Sequence, residues 1–483
     1  MTSRANQSAS LRQQVYLQLR QAIEQGTFAA GSKLPPSRDH ARALGVARNT
    51  VLWALERLQA EGYVVARVGD GSYVAHDLAA LRLPSRDSGK RKGVGPLLPM
   101  AGLSQRGRLI AETALRWRPP LSAVTAYRIG TPAVAEFPFA VWSRLERQMP
   151  TALRHSTAQY LSPAGHPPLR EAIAQWLLVS RGIHCEPGQV MVTSGSQQAI
   201  DLIARLLLDA GDEVMVEDPG YAGIRSCLLG HGVVARPVAV DEQGLCIAEG
   251  AAQGPAARMA VVTPTHQFPL GVRMGLARRL ELLEWARTQR AWVVEDDYDG
   301  EFQYGTHRIP ALRSLPNNDR VLYVGTFSKT LHPGMRLGFI VLPSALVDAF
   351  ASAKALTDRH SPGVAQEVLA RFITEGHLLR HLRRMRELYQ QRQGLMIETL
   401  HKASGGALQL QPSAQGMHLV HELGERSDDN RLSRRAAEAG VYLAPLSLYC
   451  VQARRRGWAF GYAGFDDGLL RRAAKVMGPL LGG

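Results

Sequence analysis

The chain has 483 residues, more than an ordinary single domain, so two or more domains are expected. Hydrophobic residues make up 45% of it, enough for a globular core, and the formal net charge of +15 favours contact with a polyanion. The sequence contains no signal peptide and no long uninterrupted apolar span, which argues against export and membrane insertion and favours a cytoplasmic location. The four cysteines are scattered without a Cys-x-x-Cys pair, so neither a metal site nor a disulfide framework is predicted.

The N-terminal part of the chain has the pattern of three helices followed by a β-hairpin. Apolar residues recur at helical spacing over residues 11–23, and two further helices are predicted over residues 38–45 and 47–61. Residues 63–74 read as two strands around the turn Gly69-Asp-Gly71. Two helices joined by a tight turn and followed by a hairpin predict a winged helix-turn-helix of the α+β class.

In a winged helix, the first residues of the second helix of the motif meet base edges in the major groove. The wing glycines are candidates too, because they let backbone amides approach phosphate. The candidate DNA-binding residues are therefore Arg38, Arg48, Asn49, Thr50, Gly69 and Gly71. The alternative is a three-helix protein-interaction module with a solvated basic face.

Three segments of this region resemble the GntR family of winged-helix transcription regulators. They are Gly31-Ser-Lys-Leu-Pro-Pro-Ser-Arg38, Leu44-Gly-Val-Ala-Arg-Asn-Thr-Val51 and Glu61-Gly-Tyr63. The resemblance covers the whole winged helix and implies binding to double-stranded operator DNA. His40 stands where the family usually has leucine, which we expect to loosen local packing without changing the docking surface.

Residues 77–122 predict a basic, flexible linker. Residues 84–99 are rich in glycine, proline and serine, and basic residues outnumber acidic ones along the whole segment. Such a composition cannot bury a core, so we expect a mobile tether. Its basic residues either add phosphate contacts beside the winged helix or only keep the tether solvated.

The remaining residues predict an α/β domain. Helix and strand patterns alternate over residues 169–342, as in a mostly parallel, doubly wound sheet, whose ligands bind at the carboxyl ends of the strands. One strand changes into a helix at Gly195, Ser196 and Gln197. The free amides and the dipole of such a helix start favour phosphate, although an ordinary capped turn has the same residues.

A second candidate is a lysine that follows an apolar strand. Residues 321–324 read as a buried strand, and Thr326 and Lys329 follow it. An amine at the end of a buried strand is poorly solvated, which lowers its pKa and makes it a nucleophile toward an aldehyde. The next loop returns Arg336 toward Lys329, although a lysine at such a place can also be merely solvated.

This region resembles the fold-type I aminotransferases, whose lysine holds pyridoxal 5′-phosphate (PLP) as a Schiff base. The resemblance is stronger to the MocR subfamily of GntR-type transcription regulators, on the motifs Glu295-Asp-Asp-Tyr-Asp299 and Thr263-Pro-Thr-His-Gln-Phe-Pro269. Those proteins join a winged helix to an aminotransferase-like domain. The resemblance therefore implies a fold-type I domain with a small C-terminal α+β subdomain.

The resemblance also implies roles for single residues. Lys329 forms the Schiff base, Asp296 keeps the pyridine nitrogen protonated, and the Tyr298 hydroxyl donates to the ring oxygen. Tyr221 stacks on the ring, and Tyr160 crosses to the phosphate of the partner subunit, which implies a homodimer. The other implied cofactor-binding residues are Gly195, Ser196, Gln197, Thr326, Arg336 and His266.

Two of these assignments stay open. The other acids of the Glu-Asp-Asp-Tyr-Asp motif are nearby alternatives to Asp296. Aminotransferases commonly have Asn-Pro-x-Gly where this chain has Phe268-Pro-Leu-Gly271, so the asparagine contact to the ring oxygen is absent or comes from His266 or Gln267.

The carboxylate clamp of the aminotransferases is missing. Where its two arginines are expected, this chain has Ala459 and Gly223. Arg225 is close to the second position but out of register, and the arginines at 454–456 can replace the first only if their loop folds back. A carboxylate without its bidentate arginine is left unpaired in a buried site, which costs several kcal/mol. We therefore expect an effector other than a standard α-amino acid held by that arginine, namely PLP itself or an amine without that carboxylate.

The sequence thus predicts a PLP-dependent transcription regulator in three parts. A winged-helix DNA-binding domain spans residues 1–76, the linker residues 77–122, and an effector domain that senses PLP or an amino compound residues 123–483. The first alternative is an active aminotransferase with an appended DNA-binding domain. The second is a DNA-binding protein whose large domain is degenerate and empty.

Overall fold

The computed structural model describes residues 2–67, 69–76, 102–115, 126–254, 256–305 and 310–481. These residues form two compact units, one within Met1–Pro99 and the other within Met100–Gly483. Across these ranges, no helix is both long enough and apolar enough to cross a membrane.

The first unit is made of three helices and a hairpin. Its elements are α1 (Thr2–Glu24), α2 (Ser37–Ala43), α3 (Arg48–Ala60), β1 (Val64–Arg67) and β2 (Gly71–Val74). The strands are antiparallel, with Val64 opposite Val74. Apolar side chains of the helices, among them Val15, Leu19 and Leu58, bury their shared face against those two valines. The predicted winged helix-turn-helix is confirmed.

His40 fills its position in the first unit by aromatic packing. Its side chain is buried, and its ring lies edge-on to Phe28 with the centroids 5.7 Å apart. Burial lowers the pKa of His40, so the imidazole is neutral and packs as an aromatic residue.

The second unit is built on an eight-stranded sheet. Its strands are β3 (Val190–Thr193), β4 (Glu213–Asp218), β5 (Val234–Asp241), β6 (Gly244–Leu245), β7 (Met259–Val262), β8 (Trp292–Asp297), β9 (Val321–Thr326) and β10 (Gly338–Val341). Their order across the sheet is β3-β10-β9-β8-β7-β4-β5-β6. Neighbours are parallel from β9 to β5, whereas β10 is antiparallel to β3 and β9, and β6 is antiparallel to β5. The predicted, mostly parallel sheet is confirmed.

Helices cover this sheet on both faces. The helices of the second unit are α4 (Gln105–Leu115), α5 (Phe139–Arg147), α6 (Thr151–Thr157), α7 (Pro167–Arg181), α8 (Ser196–Leu207), α9 (Ala222–Gly230), α10 (Ile247–Ala252), α11 (Leu276–Thr288), α12 (Phe327–Thr330), α13 (Val347–Thr357), α14 (Gly363–Thr374), α15 (His377–Ala403), α16 (Asp429–Glu438) and α17 (Asp467–Leu481). Successive residues of one strand point to opposite faces. Val293 accordingly packs with α11, whereas Val294 packs with α8 and α9.

A smaller sheet follows α15. Its strands are β11 (His418–Leu423), β12 (Ala444–Pro445) and β13 (Arg456–Gly461), in the order β11-β13-β12 and all antiparallel. Helices α15 and α16 both pack against α17 beside it. The predicted C-terminal α+β subdomain is confirmed.

Part of the predicted linker is ordered on the second unit. Helix α4 lies within residues 77–122, for which we expected a mobile tether, and it packs against α9. Arg106 donates to the carbonyl oxygen of Gly230 and lies 3.1 Å from His231 Nδ1, and Ile110 lies against Gly230. These contacts offset the conformational entropy that residues 105–115 lose when they become ordered. The composition of the segment had predicted a mobile tether because it does not show such contacts. Residues 77–101 and 116–122 lie outside the described residues.

Candidate functional site

The carboxyl ends of β3, β8 and β9 lie close together and each carries polar groups. Strand β10 lies between β3 and β9, with Gly338 opposite both Thr193 and Thr326. The turn that starts α8 and the short helix α12 are therefore neighbours. On the other side of β9, Asp296 of β8 is paired with Val324. The topology thus brings the predicted site residues on these elements together at the carboxyl ends of the strands.

Lys329 lies in α12, directly after β9. Its Nζ donates to the carbonyl oxygen of Gly130 at 2.7 Å. Burial lowers the pKa of this amine, while the charges of Asp299 and Asp296 raise it. The net lowering increases the share of neutral amine, the form that attacks an aldehyde.

Three of the four acids in residues 295–299 are held by other groups of the protein. Glu295 accepts hydrogen bonds from the backbone amides of residues 312 and 313, at 2.7 and 2.8 Å. Asp297 forms a buried ion pair with Arg181 at 2.7 Å, and Asp299 Oδ2 lies 2.8 Å from His266 Nδ1. These acids are therefore parts of the internal hydrogen-bond network.

Asp296 differs from the other three acids. It is buried, and its carboxylate has no hydrogen bond or ion pair with any described residue; its Oδ1 is sealed from water. Burial raises the pKa of Asp296 to about 7, with further contributions from the charges of Asp297 and Glu217. An unpaired buried carboxylate of this kind favours a ligand that brings a positive charge or a proton.

Tyr298 is close enough to Asp296 to feel its charge, and it contacts His266. The Tyr298 hydroxyl and Asp299 Oδ2 lie 2.9 and 2.8 Å from His266 Nδ1, and His266 Nε2 is buried with no partner among the described residues. Gly416 makes room for the imidazole, since a Cβ there would lie 2.0 Å from His266 Cε1. Burial raises the pKa of Tyr298 well above its usual value, so the phenol keeps its proton.

A cradle for an anion lies at the start of α8. Gly195 precedes this helix with φ 128°, and the helix begins at Ser196. Arg336 Nη1 lies 3.9 Å from the position that a Cβ on Gly195 would take. The Arg336 side chain is exposed and forms no hydrogen bond or ion pair within the described ranges. Free helix amides beside a free guanidinium suit a phosphate.

Thr326 and Gln197 flank this cradle and have other contacts. The Thr326 hydroxyl accepts a hydrogen bond from the amide of Ser328 at 3.1 Å and so caps α12. Gln197 Nε2 donates to the carbonyl oxygen of Gly223 at 3.1 Å. The Thr326 hydroxyl proton stays available for a ligand.

Tyr221 ends the turn after β4 and lies near Asp296. Its ring meets the ring of Phe268 edge-on, with centroids 5.7 Å apart. Burial raises the pKa of Tyr221 to about 12, and the charge of Asp296 adds to the rise. A Cβ at Gly223 would lie 2.6 Å from the Tyr221 ring, so an arginine at 223 is incompatible with this position of the ring.

Tyr160 is the predicted site residue that stands apart. Its side chain is 79% exposed, with the Arg359 guanidinium 4.3 Å from the centre of its ring and His360 nearby. Within one chain it has no hydrogen bond to another predicted site residue in the described ranges.

Several residues of the site were not found from the sequence. The carbonyl of Gly130 is one, because it is 199 positions from Lys329 and a backbone oxygen leaves no sequence signal. Glu217 accepts from the Thr263 hydroxyl at 2.6 Å and from Gln267 Nε2 at 3.0 Å. Glu217 follows an apolar strand just before Tyr221, and an acid at a strand end was the signal that could have found it.

The structure offers no carboxylate clamp at the expected positions. Ala459 is buried in β13, paired with Val420 and Ala444. Arg225, Arg454 and Arg456 line a different cavity, whose lining does not include Lys329 or Asp296.

The predicted DNA-binding residues lie at the start of α3 and on the wing. Arg48 and Asn49 are exposed in the first turn of α3, and Arg48 Nε donates to the Ser37 hydroxyl at 3.2 Å. Thr50 is only 8% exposed because it faces the core of the unit, which argues against a base contact from its side chain. Arg38 is exposed in α2.

The two glycines of the wing lie in the turn between β1 and β2. Gly69 and Gly71 are exposed and have φ of 78° and 113°, values that suit glycine. Lys33 Nζ lies 2.6 Å from Asp70 Oδ1, so an exposed ion pair joins the turn to the segment before α2.

Two family models match the chain. The family of bacterial regulatory proteins of the gntR type matches residues 11–74, and the family of class I and II aminotransferases matches residues 130–476. The two matches coincide with the winged helix and with the α/β unit.

Curated relatives share both parts. The probable rhizopine catabolism regulatory protein MocR of Rhizobium meliloti is 37% identical over 97% of this chain and 93% of its own length. The pyridoxine biosynthesis transcriptional regulator PdxR of Corynebacterium glutamicum is 30% identical over 96% and 95%. The transcriptional regulator TauR of Rhodobacter capsulatus is 31% identical over 92% and 91%.

Two aminotransferases are among the solved structures similar to the large unit. Kynurenine aminotransferase of Pyrococcus horikoshii has a TM-score of 0.68 at 27% identity and covers 78% of this chain and 94% of its own. The α-aminoadipate aminotransferase LysN of Thermus thermophilus, bound to a phosphopyridoxyl-leucine, has a TM-score of 0.68 at 27% identity and covers 77% and 96%.

Fold, site and comparisons define a class of protein. It is a PLP-dependent transcription regulator, in which a DNA-binding winged helix is joined to a fold-type I aminotransferase-like domain. The relatives that span both parts are regulators. The chain belongs to the MocR subfamily of GntR-type transcription regulators.

The residues at the carboxyl ends of the strands are suited to bind PLP. Asp296 offers an unpaired buried carboxylate for the ring nitrogen, the start of α8 with Arg336 offers a cradle for the phosphate, and Lys329 offers an amine for the aldehyde. PLP, when bound, supplies an electrophilic carbon and an electron-withdrawing ring.

We predict that Asp296→Asn changes how the stability of the cofactor-free protein depends on pH. The pKa of Asp296 is about 7 when folded and near the ordinary 3.8 when unfolded, so the unfolded chain loses this proton first as pH rises. The wild type should therefore lose about 2–3 kcal/mol more unfolding free energy than the variant between pH 5 and pH 8.

Urea denaturation at both pH values measures this difference. The exposed Asp209 is the control, because Asp209→Asn removes a carboxylate that water already solvates. Parallel losses of stability in wild type and Asp296→Asn would contradict the prediction.

Proposed function

We propose that this regulator binds operator DNA through α3 and its wing, and that PLP or an amino compound at Lys329 controls this binding. The observation that carries the proposal is the unpaired, buried Asp296 carboxylate close to the Lys329 amine. A carboxylate kept in that state favours a cationic ring nitrogen, and the amine is the attachment point for its aldehyde.

The other cofactor contacts that we propose follow from the geometry. The phosphate binds the amides of Gly195, Ser196 and Gln197 together with Arg336 and the Thr326 hydroxyl. Tyr221 stacks on the ring. Tyr298 and His266 form the polar wall beside it, and the free His266 Nε2 can take the place of the asparagine of the aminotransferases.

An amino-compound effector acts by exchange with Lys329. Lys329 would hold the cofactor through its amine, and an effector amine would displace it, so that Lys329 would be released as a free amine with no water or electron consumed. A tenfold change in DNA affinity then needs about 1.4 kcal/mol of difference between the effector's binding to two conformations. One relative is named for the regulation of pyridoxine biosynthesis, which supports PLP itself as a second effector.

Lys329→Ala tests the attachment. We expect the wild type, after borohydride reduction, to carry one covalently bound cofactor per chain on the peptide that contains Lys329, and the variant to carry none, because no other described amine was found at this edge. We also expect the variant to lose the response of DNA binding to amines. Mass spectrometry and an operator-binding assay are the measurements.

Lys402→Ala is the control, since Lys402 is exposed and pairs only with Glu398 at 2.6 Å in the described structure. The proposal fails if Lys329→Ala keeps covalent cofactor and responds to amines as the wild type does.

The DNA-binding surface is tested at Arg48 and Asn49. Both side chains are exposed at the N-terminus of α3, where a winged helix meets base edges. We expect Arg48→Ala or Asn49→Ala to weaken specific operator binding by about 1–3 kcal/mol, a loss of roughly fivefold to 150-fold. Fluorescence anisotropy with operator and unrelated duplexes at fixed salt measures the effect.

Gln59→Ala is the control for Asn49→Ala, because Gln59 is equally exposed at the other end of the same helix. An unchanged ratio of specific to unrelated binding in both α3 variants would rule out this surface.

We propose that the active unit is a homodimer. The exposure of Tyr160 supports a role outside its own chain, at the phosphate of the partner subunit. Sedimentation velocity of the cofactor-loaded protein should give a dimer at micromolar concentration. A cofactor-loaded monomer would contradict this role of Tyr160.

We also propose a cytoplasmic location and the domain limits predicted from the sequence. Four free cysteines and a DNA partner support the cytoplasm. The limits at residues 76 and 122 remain predictions, and the docking of α4 favours a shorter linker than the one proposed from composition.

An active aminotransferase with an appended winged helix is the second candidate. Lys329, Asp296 and Tyr298 include the groups that such chemistry needs. The buried Ala459 in place of the carboxylate-binding arginine argues against efficient turnover. Steady-state transamination assays over a range of amino donors separate the two candidates.

A further inference from the structure

The segment before Gly130 brings a positive charge to the Lys329 site. The Gly130 carbonyl accepts the hydrogen bond from Lys329 Nζ at 2.7 Å, and Arg128 is two residues upstream. The Arg128 side chain is half-buried. Its guanidinium forms no hydrogen bond or ion pair with any residue that the structure describes. A half-buried cation without a counter-ion is only partly solvated, so an anionic ligand there gains binding energy.

The backbone around Arg128 is held tightly against β13. Tyr127 has φ 68°, an uncommon value for a residue with a bulky side chain, and its carbonyl accepts from the amide of Gly461 at 2.8 Å. A Cβ at Gly461 would lie 2.3 Å from the Arg128 carbonyl oxygen, so only glycine permits this approach. The surrounding structure therefore fixes a strained conformation just before Arg128, and such strain is found most often at ligand sites.

This contact lies beside the position where the aminotransferase clamp is missing. Gly461 is two residues after Ala459 on the same strand, and Ala459 is buried between β11 and β12. No cation stands at 459, whereas Arg128 lies on the segment whose backbone packs against the end of β13.

The charge of Arg128 acts on groups of the site. Burial lowers the pKa of Lys329, and Arg128 lowers it further. Burial raises the pKa values of Tyr449 and Tyr442, and Arg128 partly offsets each rise. Tyr449 in turn meets Phe268 with ring centroids 5.2 Å apart. The charge of Arg128 therefore acts on Lys329 and on the two tyrosines.

We propose that Arg128 binds the anionic group of the effector, whose primary amine exchanges with Lys329. The effector class is then an amine that also carries a carboxylate or a similar anion, placed for Arg128 instead of for an arginine at 459. This inference rests on the proposed function, since it assumes exchange at Lys329.

The test uses full-length, PLP-loaded protein and matched pairs of amines. Each pair is an amino acid and its amide: alanine, β-alanine, 4-aminobutanoate and 5-aminopentanoate, each against the corresponding carboxamide. Half-saturation is read from the change in the cofactor absorbance spectrum. We expect at least one acid to saturate the wild type at a concentration tenfold or more below that of its amide, which corresponds to about 1.4 kcal/mol.

Two substitutions at Arg128 give the decisive comparison. Arg128→Gln should bring the acid-to-amide ratio close to one, and Arg128→Lys, which keeps the charge without the bidentate geometry, should give an intermediate ratio. Arg454→Gln is the matched control, because Arg454 is exposed in the cavity outside the Lys329 site, and it should keep the wild-type ratio. Should Arg128→Gln fail to hold PLP, Arg128→Lys alone carries the comparison.

The outcomes separate this inference from the proposed function. If amines change the wild-type spectrum but no acid is preferred, or if the preference survives in Arg128→Gln, Arg128 is not the anion-binding residue. If no amine in the series changes the spectrum of the PLP-loaded wild type, exchange at Lys329 fails, and with it the part of the proposed function in which an amino compound is the effector.

Discussion

The balance of the buried acids around β8 is the constraint on which the site depends. Four carboxylates lie in the interior within five residues, and an unpaired ionised carboxylate there costs several kcal/mol. Glu295 is held by backbone amides, Asp297 by the Arg181 ion pair, and Asp299 by His266. Asp296 has no such partner in the described ranges, so its neutralisation depends on a proton or on a ligand. An unpaired carboxylate in this position lowers the stability of the cofactor-free protein and favours a cationic group beside it, which is why the proposed PLP site centres on Asp296.

The absence of arginine at positions 459 and 223 distinguishes this domain from the aminotransferases whose fold it shares. A buried alanine occupies β13 at the place of the clamp, and a ring contact at Gly223 excludes the second arginine. A substrate carboxylate would meet no cation at either place. Lys329, Asp296 and the phosphate cradle at the start of α8 are nevertheless all present. The residues suited to hold a cofactor can therefore be kept when those that hold a substrate carboxylate are lost. A regulator needs a bound cofactor and an effector that binds two conformations with different affinities. An enzyme must also hold its substrate in position at each turnover.

Helix α9 links the edge of the site to the ordered part of the linker. It begins directly after Tyr221 and ends at Gly230, whose carbonyl accepts from Arg106 of α4. His231 adds a second contact to Arg106 and is itself held by Asp201 at 2.8 Å. The chain that leads from the winged helix is thus anchored to the element that carries the ring-stacking candidate. The composition of this region predicted a tether because it is rich in polar and flexible residues. In the structure, Arg106 and its contacts with Gly230 and His231 hold α4 on α9.

The sequence by itself determined the architecture and the identities of the main groups. Apolar periodicity separates helices from strands, strand ends locate ligands in parallel sheets, and the motifs around Lys329 and Asp296 predicted the cofactor. Tertiary structure decided what depends on contacts between distant segments: that Asp296, and not its neighbours, lacks a partner, that Thr50 faces the core, and that the Gly130 carbonyl holds the lysine. It also decided that Arg128 lies against Gly461, 333 positions away. A linear pattern records side-chain type and spacing, but burial, charge balance and backbone contacts across the sheet arise only when the strands are brought together.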